Sequence, residues 1–236
     1  MGVSTAAIVE NWHGQRFEKP IRRLDETVLL LRQYFSGEKF SHEGLYSAPR
    51  GARLRMVGSQ PKIALAALND RMIAKSAKLA DRIILNLYPP QRVAHAVSII
   101  EDACRLTGNK PRPILSVMLY AYVSANRDRG AEAGRDLVAF YASAPAYATL
   151  FSSIGYEAES KTMVAAWKAK DRDGVKQAVT MQMVNALTVL GSIQELKERV
   201  EQFHKAGIDD VFICPTPFGD YEANIREILQ KYHPSG

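Results

Sequence analysis

The chain has 236 residues, 47% of them hydrophobic and 24% charged, which is enough apolar side chain for a core and too much for disorder. The length predicts one domain over residues 1–236, since it is long for one small domain and short for two. The net charge of +6 comes from scattered basic residues such as Arg22-Arg23, Arg53 and Arg127. No stripe of them alternates with aromatics, so nucleic acid is excluded as a partner and the charge reads as solubility with a mild attraction for anions.

The first helix is predicted from a cap at Ser4 or Thr5 to about Gly14, and a second from Pro20, with Leu24, Val28 and Leu31 at helical spacing, to Gly37. Phe40, His42 and Leu45 alternate around Gly44, which predicts a small hairpin excursion with His42 facing solvent. A strand over 63–68, a helix over about 70–80 and a strand over 82–87 come next. "YPPQ" then opens a helix that runs to about Leu106 and stops at Gly108-Asn109. "PILSVMLYAYVS" is continuously apolar at its start, as strands buried on both faces are. A helical region is predicted over about 134–171 with a break near "SIGYEA", and "RDGVKQAVTMQMVNALTVLG" reads as further helix. Its Ala and Met residues, Met181 and Met183 among them, suit a helix interface between copies. "SIQE" at Ser192–Glu195 is a capping box, and "DDVFICPTP" is a last strand before a terminal helix. Strands alternating with helices in this way predict an α/β fold with about four parallel strands and helices outside.

Ligands of parallel α/β folds bind beyond the carboxyl ends of the strands. Four such ends are legible: Ala67-Leu68-Asn69-Asp70, Asn86-Leu87-Tyr88, Ser124-Ala125-Asn126 and Cys214-Pro215-Thr216. Asn69 and Asn86 each close an apolar run. Either amide could serve a planar heterocycle or a phosphate, or Asn69 could cap its helix and Asn86 start a turn. There is no GxSxG, P-loop, GxGxxG or HExxH motif, the five histidines lie far apart, and no metal site is expected. His95 and His204 are expected on exposed helix faces. Cys104 and Cys214 form no CxxC, which predicts a cytoplasmic chain with both thiols buried. No signal-peptide pattern is read, Ala6 breaks the myristoylation pattern, and no apolar run approaches the ~18 residues of a membrane span.

Three segments resemble the luciferase-like monooxygenase family. "AALNDRMIAKSAKLADRIILN" resembles its Ala-Ala-Leu-Gly/Asn-Pro-Arg-Met segment with the following Ala-rich helix and strand. "IVENWHGQRFEKPIRRLDETVLLLRQYFSGEKFSHEGLYS" resembles the stretch after the family's fourth strand, and "LKERVEQFHKAGIDDVFICP" its final helix and strand. The resemblance implies a TIM-type (β/α) barrel, here partial, that binds FMN or the deazaflavin coenzyme F-420, with the deazaflavin-dependent oxidoreductases as the nearer subclass. It places Ser4, Thr5, Ala66, Ala67, Asn69 and Asn86 on the cofactor rim and assigns no catalytic residue.

The departures are specific. Asp70 stands where the family has Pro, bringing a negative charge to a helix start. Arg82 stands where Gly would make a tight turn, and Met1 falls where the family has just finished its fourth strand. A half barrel leaves sheet edges and one face uncovered, so the expected partner is a second copy or a complementary barrel half. The implied function is a flavin- or deazaflavin-dependent oxidoreductase or monooxygenase acting on a small molecule. The alternative is a non-catalytic half-barrel remnant that binds flavin or serves as a structural dimer.

Overall fold

Short apolar runs punctuated by helix caps build the frame. The computed structural model describes residues 1–55, 59–124 and 126–232. Helix α1 (Ala6–Asn11) is capped by Thr5, whose hydroxyl accepts from the Ile8 N–H at 3.4 Å. Helix α2 (Pro20–Phe35) starts on proline, where the missing N–H is harmless. Then follow β1 (Ala64–Ala66), α3 (Asp70–Leu79), β2 (Arg82–Asn86), α4 (Pro90–Arg105) and β3 (Ile114–Val123). Five helices come next: α5 (Arg127–Ala142), α6 (Pro145–Ser153), α7 (Glu157–Lys168), α8 (Arg172–Gln177) and α9 (Met181–Leu187). The chain closes with β4 (Thr188–Gly191), α10 (Ile193–Ala206), β5 (Asp210–Pro215) and α11 (Tyr221–Lys231).

All strand pairings are parallel: β1 with β2, β2 with β3, and β3 with both β4 and β5. The four predicted strands are therefore present in a parallel sheet with helices outside. β4 is a fifth, short strand that the sequence reads as helix end, because Thr188-Val-Leu-Gly continues an apolar helical run without a break in pattern. What stops the helix is tertiary. β3 extends beyond the end of β2, and its residues Tyr120–Val123 are free to pair with Thr188–Gly191. Because Tyr120 and Ala121 pair with β5 as well, β4 must lie on the same edge of β3 as β2, in line with it.

Register assigns the two sheet faces. Leu65, Ile83, Leu85, Leu115, Val117 and Leu119 are fully buried and form the side covered by α3, α4 and α10. The opposite face carries Ala66, Ile84 and Ser116 in one row and Asn86, Met118 and Phe212 in the next. Here Ala66 is exposed, Ile114 is 44% exposed and Phe212 39% exposed. Beside β1, the Met1 ammonium donates to Ala64 O and the Ala66 N–H donates to Met1 O, both at 2.7 Å. Met1 thus occupies one step of a parallel ladder next to β1.

The hairpin excursion is present as a short antiparallel pairing: Phe40 bridges Ala52, and the His42 and Gly44 N–H groups donate to Pro49 O and Ser47 O. Its turn is held by the Glu26 carboxylate of α2, which accepts from the N–H groups of Leu45, Tyr46 and Ser47. His42 consequently lies half-buried, 3.8 Å from Glu26, rather than facing solvent. The first long helix of the middle region begins at Arg127, not near Gly134, and a second break at Ser143-Ala144 accompanies the expected one before Tyr156. Met183 is fully buried within the chain and cannot lie on an interface. Cys104 is buried as expected, but Cys214 is only half-buried because it sits on the open sheet face. His95 and His204 are exposed, as read.

Candidate functional site

The carboxyl ends of three neighbouring parallel edges converge: the Met1–Val3 stub, β1 and β2. Beyond the stub, Ser4 is exposed in the left-handed region at φ 60°. It borders a cleft of about 290 Å³ lined also by His13, Arg16, Phe17 and Arg23. Thr5 caps α1. At the end of β1, Ala66 is exposed in the row of Ile84, while Ala67 is buried and its N–H donates to Ile84 O at 3.1 Å. Small residues crowd this point: a Cβ added to Gly2 would lie 3.3 Å from the Ala66 Cβ.

Asn69 caps α3, its side-chain oxygen accepting from the Met72 N–H at 3.0 Å. Asp70 opens that helix, but its charge is shared. Its carboxylate lies 2.9 Å from His95 Nε2 and 3.4 Å from Arg92 on α4. The acidic residue at the helix start is thereby offset by two basic partners from the next unit. Arg82 also has an explanation. The turn at Ala80-Asp81 needs no left-handed residue there, since the Asp81 and Arg82 N–H groups both donate to Ile63 O. The freed side chain crosses the open sheet face to Ser116 and Asp210, and its guanidinium stands 5.5 Å from the Phe212 ring centroid.

Asn86 ends β2 in a different setting. Its Nδ2 donates to the Tyr147 hydroxyl of α6 at 2.5 Å, while its Oδ1 is buried with no partner among the described residues. Leu87, fully buried, follows at φ 47°, a conformation that costs a bulky residue free energy. The Tyr147 ring packs on Tyr141 with centroids 4.6 Å apart, and the Tyr141 hydroxyl meets that of Tyr120 at 2.6 Å. Tyr120 in turn is in register with Cys214. Burial pushes the Tyr120 phenol strongly up, and the Tyr141 hydrogen bond adds to this. Burial also raises Tyr147, against a lowering from Asn86. Both phenols stay protonated at any physiological pH, so they act as hydrogen-bonding groups and not as bases. Burial raises the Cys214 thiol as well.

The structure thus brings Ser4, Thr5, Ala66, Ala67, Asn69 and Asn86 to adjacent strand ends, with Thr5 and Asn69 already engaged as caps. Ala125, at the third strand end, lies outside the described residues. Sequence reasoning missed Tyr141 and Tyr147, which sit on helices where no spacing signal marks them. Among the described residues there is no group of three His, Cys, Asp or Glu side chains that could hold a metal ion, and no helix long and apolar enough to cross a membrane.

The profile of the family described as luciferase-like monooxygenase matches residues 1–210. A 5,10-methylenetetrahydromethanopterin reductase from Archaeoglobus fulgidus is 27% identical over 224 residues, covering 92% of this chain and 67% of that protein. Among solved structures, the coenzyme F-420-dependent tetrahydromethanopterin reductase from Methanopyrus kandleri superposes with a TM-score of 0.72 at 22% identity, over 90% of this chain and 62% of that one. An F-420-dependent secondary alcohol dehydrogenase gives the same TM-score at 17% identity, over 98% and 67%. The chain therefore spans about two thirds of the length of these proteins, and the structural likeness is one of fold.

Proposed function

Because this chain belongs to the luciferase-like monooxygenase family, we propose that it serves as an oxidoreductase that binds a deazaflavin or flavin at the carboxyl ends of β1 and β2. The observation that carries this reading is the convergence of Ser4, Ala66 and Asn86 on neighbouring parallel edges. The residues present fit such a ring. Ala66 is small and exposed, Gly2 adds no bulk beside it, and Asn86 holds a buried acceptor without a donor among the described residues. Ser4, Ala66, Ala67 and Asn86 would hold the ring. Thr5 and Asn69 would act indirectly, fixing the helix starts beside it. The ring, when bound, supplies the two-electron chemistry. The chain's own residues orient it, and the tyrosines behind Asn86 keep water from that side.

Between the two rings, F-420 is favoured by the name of the Methanopyrus structure and of the alcohol dehydrogenase. FMN stays the second candidate, because the family as named is one of monooxygenases. The substrate is a small molecule, and the cytoplasm is the compartment that the cysteine usage supports. The test is a spectral titration of the purified chain with F-420 and with FMN, followed by addition of a reductant. Uptake of F-420 with a red-shifted band is expected, and a chain that takes up neither coenzyme would sink the reading.

A second reading concerns assembly. Ile114 and Phe212 are large apolar side chains exposed on one sheet face, and among the described residues the outer edge of β1 is engaged only at Met1. A second copy, or a complementary barrel half, would cover both. If the ring is not taken up while the chain is dimeric, the non-catalytic half-barrel role is the better description.

A further inference from the structure

The two halves of the Asn86 carboxamide are treated unequally. Its Nδ2 has a partner in Tyr147, and its Oδ1 is buried without one among the described residues. A buried acceptor left without a donor is costly, and native proteins keep few of them. Three further features bear on it. Leu87 in the left-handed region fixes the direction in which Asn86 leaves the strand. Tyr147 is the third residue of α6, whose start has no side-chain cap, and its phenol reaches Asn86 from outside the sheet. Finally, Asn86 shares a sheet row with Met118 and Phe212 on the open face, so a flat ring lying there has its edge toward the amide.

We propose that Asn86 reads an amide edge, a ring N–H beside a C=O, with Tyr147 as the stand-in that such a ring displaces. The inference rests on the reading that this face binds a planar ring. A carboxamide and an amide edge are mutually complementary. Oδ1 gains the ring N–H it lacks, Nδ2 exchanges the Tyr147 oxygen for the ring carbonyl, and both halves are then paired. If the carboxamide were turned over, one donor and one acceptor would still be presented, so the ligand class is unchanged. The pyrimidine ring of a flavin or deazaflavin carries this edge, and so does a pterin-type substrate; the experiment separates the two sources.

The probes are rings without phosphate: lumiflavin and 3-methyllumiflavin for the cofactor, and 6-methylpterin with its ring-N-methylated form for the substrate. Binding is followed by fluorescence quenching. The wild-type chain is expected to prefer one unmethylated ring over its methylated form by at least about tenfold. Asn86→Leu is expected to abolish that preference, and Tyr147→Phe to keep it while binding the ring more tightly. Preference within the lumiflavin pair assigns the edge to the cofactor, and preference within the pterin pair assigns it to the substrate. Asn86→Ala, which also removes the acceptor, gives the same answer if the leucine variant does not fold, as judged by its melting curve. No effect of methylation, or a preference that survives both Asn86 variants, would overturn the proposal. If neither ring binds while F-420 or FMN does, the amide-edge proposal falls and the cofactor reading stands; if nothing binds, both fall.

Discussion

Asp81 does three things, two of them with its carboxylate. Its Oδ2 accepts from the Ile63 N–H and from Arg32, each at 2.7 Å, and its backbone starts the turn into β2. Burial alone would raise its pKa, but the Ile63 N–H and Arg32 outweigh that and hold it below the ordinary carboxylate value of 3.8. A folded-state value below the unfolded one means the contribution is fully present above about pH 4 and is lost as pH falls through the folded value. Asp81→Asn is expected to cost about 1–2 kcal/mol at pH 7, with the difference in urea midpoints shrinking by pH 3. Asn224 is a second such residue. Buried at 2% exposure, it accepts from the Val123 N–H and donates to Ala121 O, both at 2.9 Å, and so ties α11 to β3. Asn224→Leu leaves the Val123 N–H unpaired, while Ala121 O keeps the Thr216 N–H, and is expected to cost about 2 kcal/mol, read from equilibrium unfolding.

At the scale of elements, the sequence was legible wherever the physics is local. Thr5, Asn69 and Ser192 cap their helices as their residue types suggest, and the Ser192–Glu195 box is complete. Apolar runs bounded by turns became the long parallel strands. What escaped was set by distant partners. β4 exists because β3 outruns β2, and the excursion loop lies on α2 because Gly44 leaves room for the Glu26 carboxylate, where a Cβ would clash. Tyr147 reaches Asn86 across 61 residues, which no periodicity reports. The Met-rich helix α9 illustrates the same limit, since amphipathic spacing does not say which apolar face meets a partner. Met183 is at 0% exposure against the core, and α9 packs on α5. Met183→Glu is therefore expected to unfold the chain, seen as lost circular dichroism and a drop of more than about 3 kcal/mol, rather than to release a folded monomer.

For the whole molecule, the question is what meets the uncovered sheet face. Phe212 and Ile114 stand on it beside the Arg82–Asp210 pair, so the face is apolar with a charged centre. If a second copy covers it, Phe212→Glu is expected to halve the mass found by sedimentation while leaving the dichroism spectrum unchanged, because the side chain is not part of the buried core. An unchanged mass of one chain in both proteins would remove the homodimer from consideration.

The tandem placement of β2 and β4 along one edge of β3 has a consequence for how motion would spread. The amides and carbonyls of Ile114–Met118 are locked by β2, whereas on that edge those of Tyr120–Val123 depend on β4. β4 is itself the return leg of the helical block that begins at α5. Loosening of that block should therefore speed hydrogen exchange along Tyr120–Ser124 at the amides that face β4, such as Ser124, while Val123, held by Asn224, and the first half of the same strand stay protected. Tyr120 lies at the seam. The order of sixty residues outside the sheet would then be communicated to the tyrosine cluster behind Asn86 through backbone pairing, with no side chain needed to carry it.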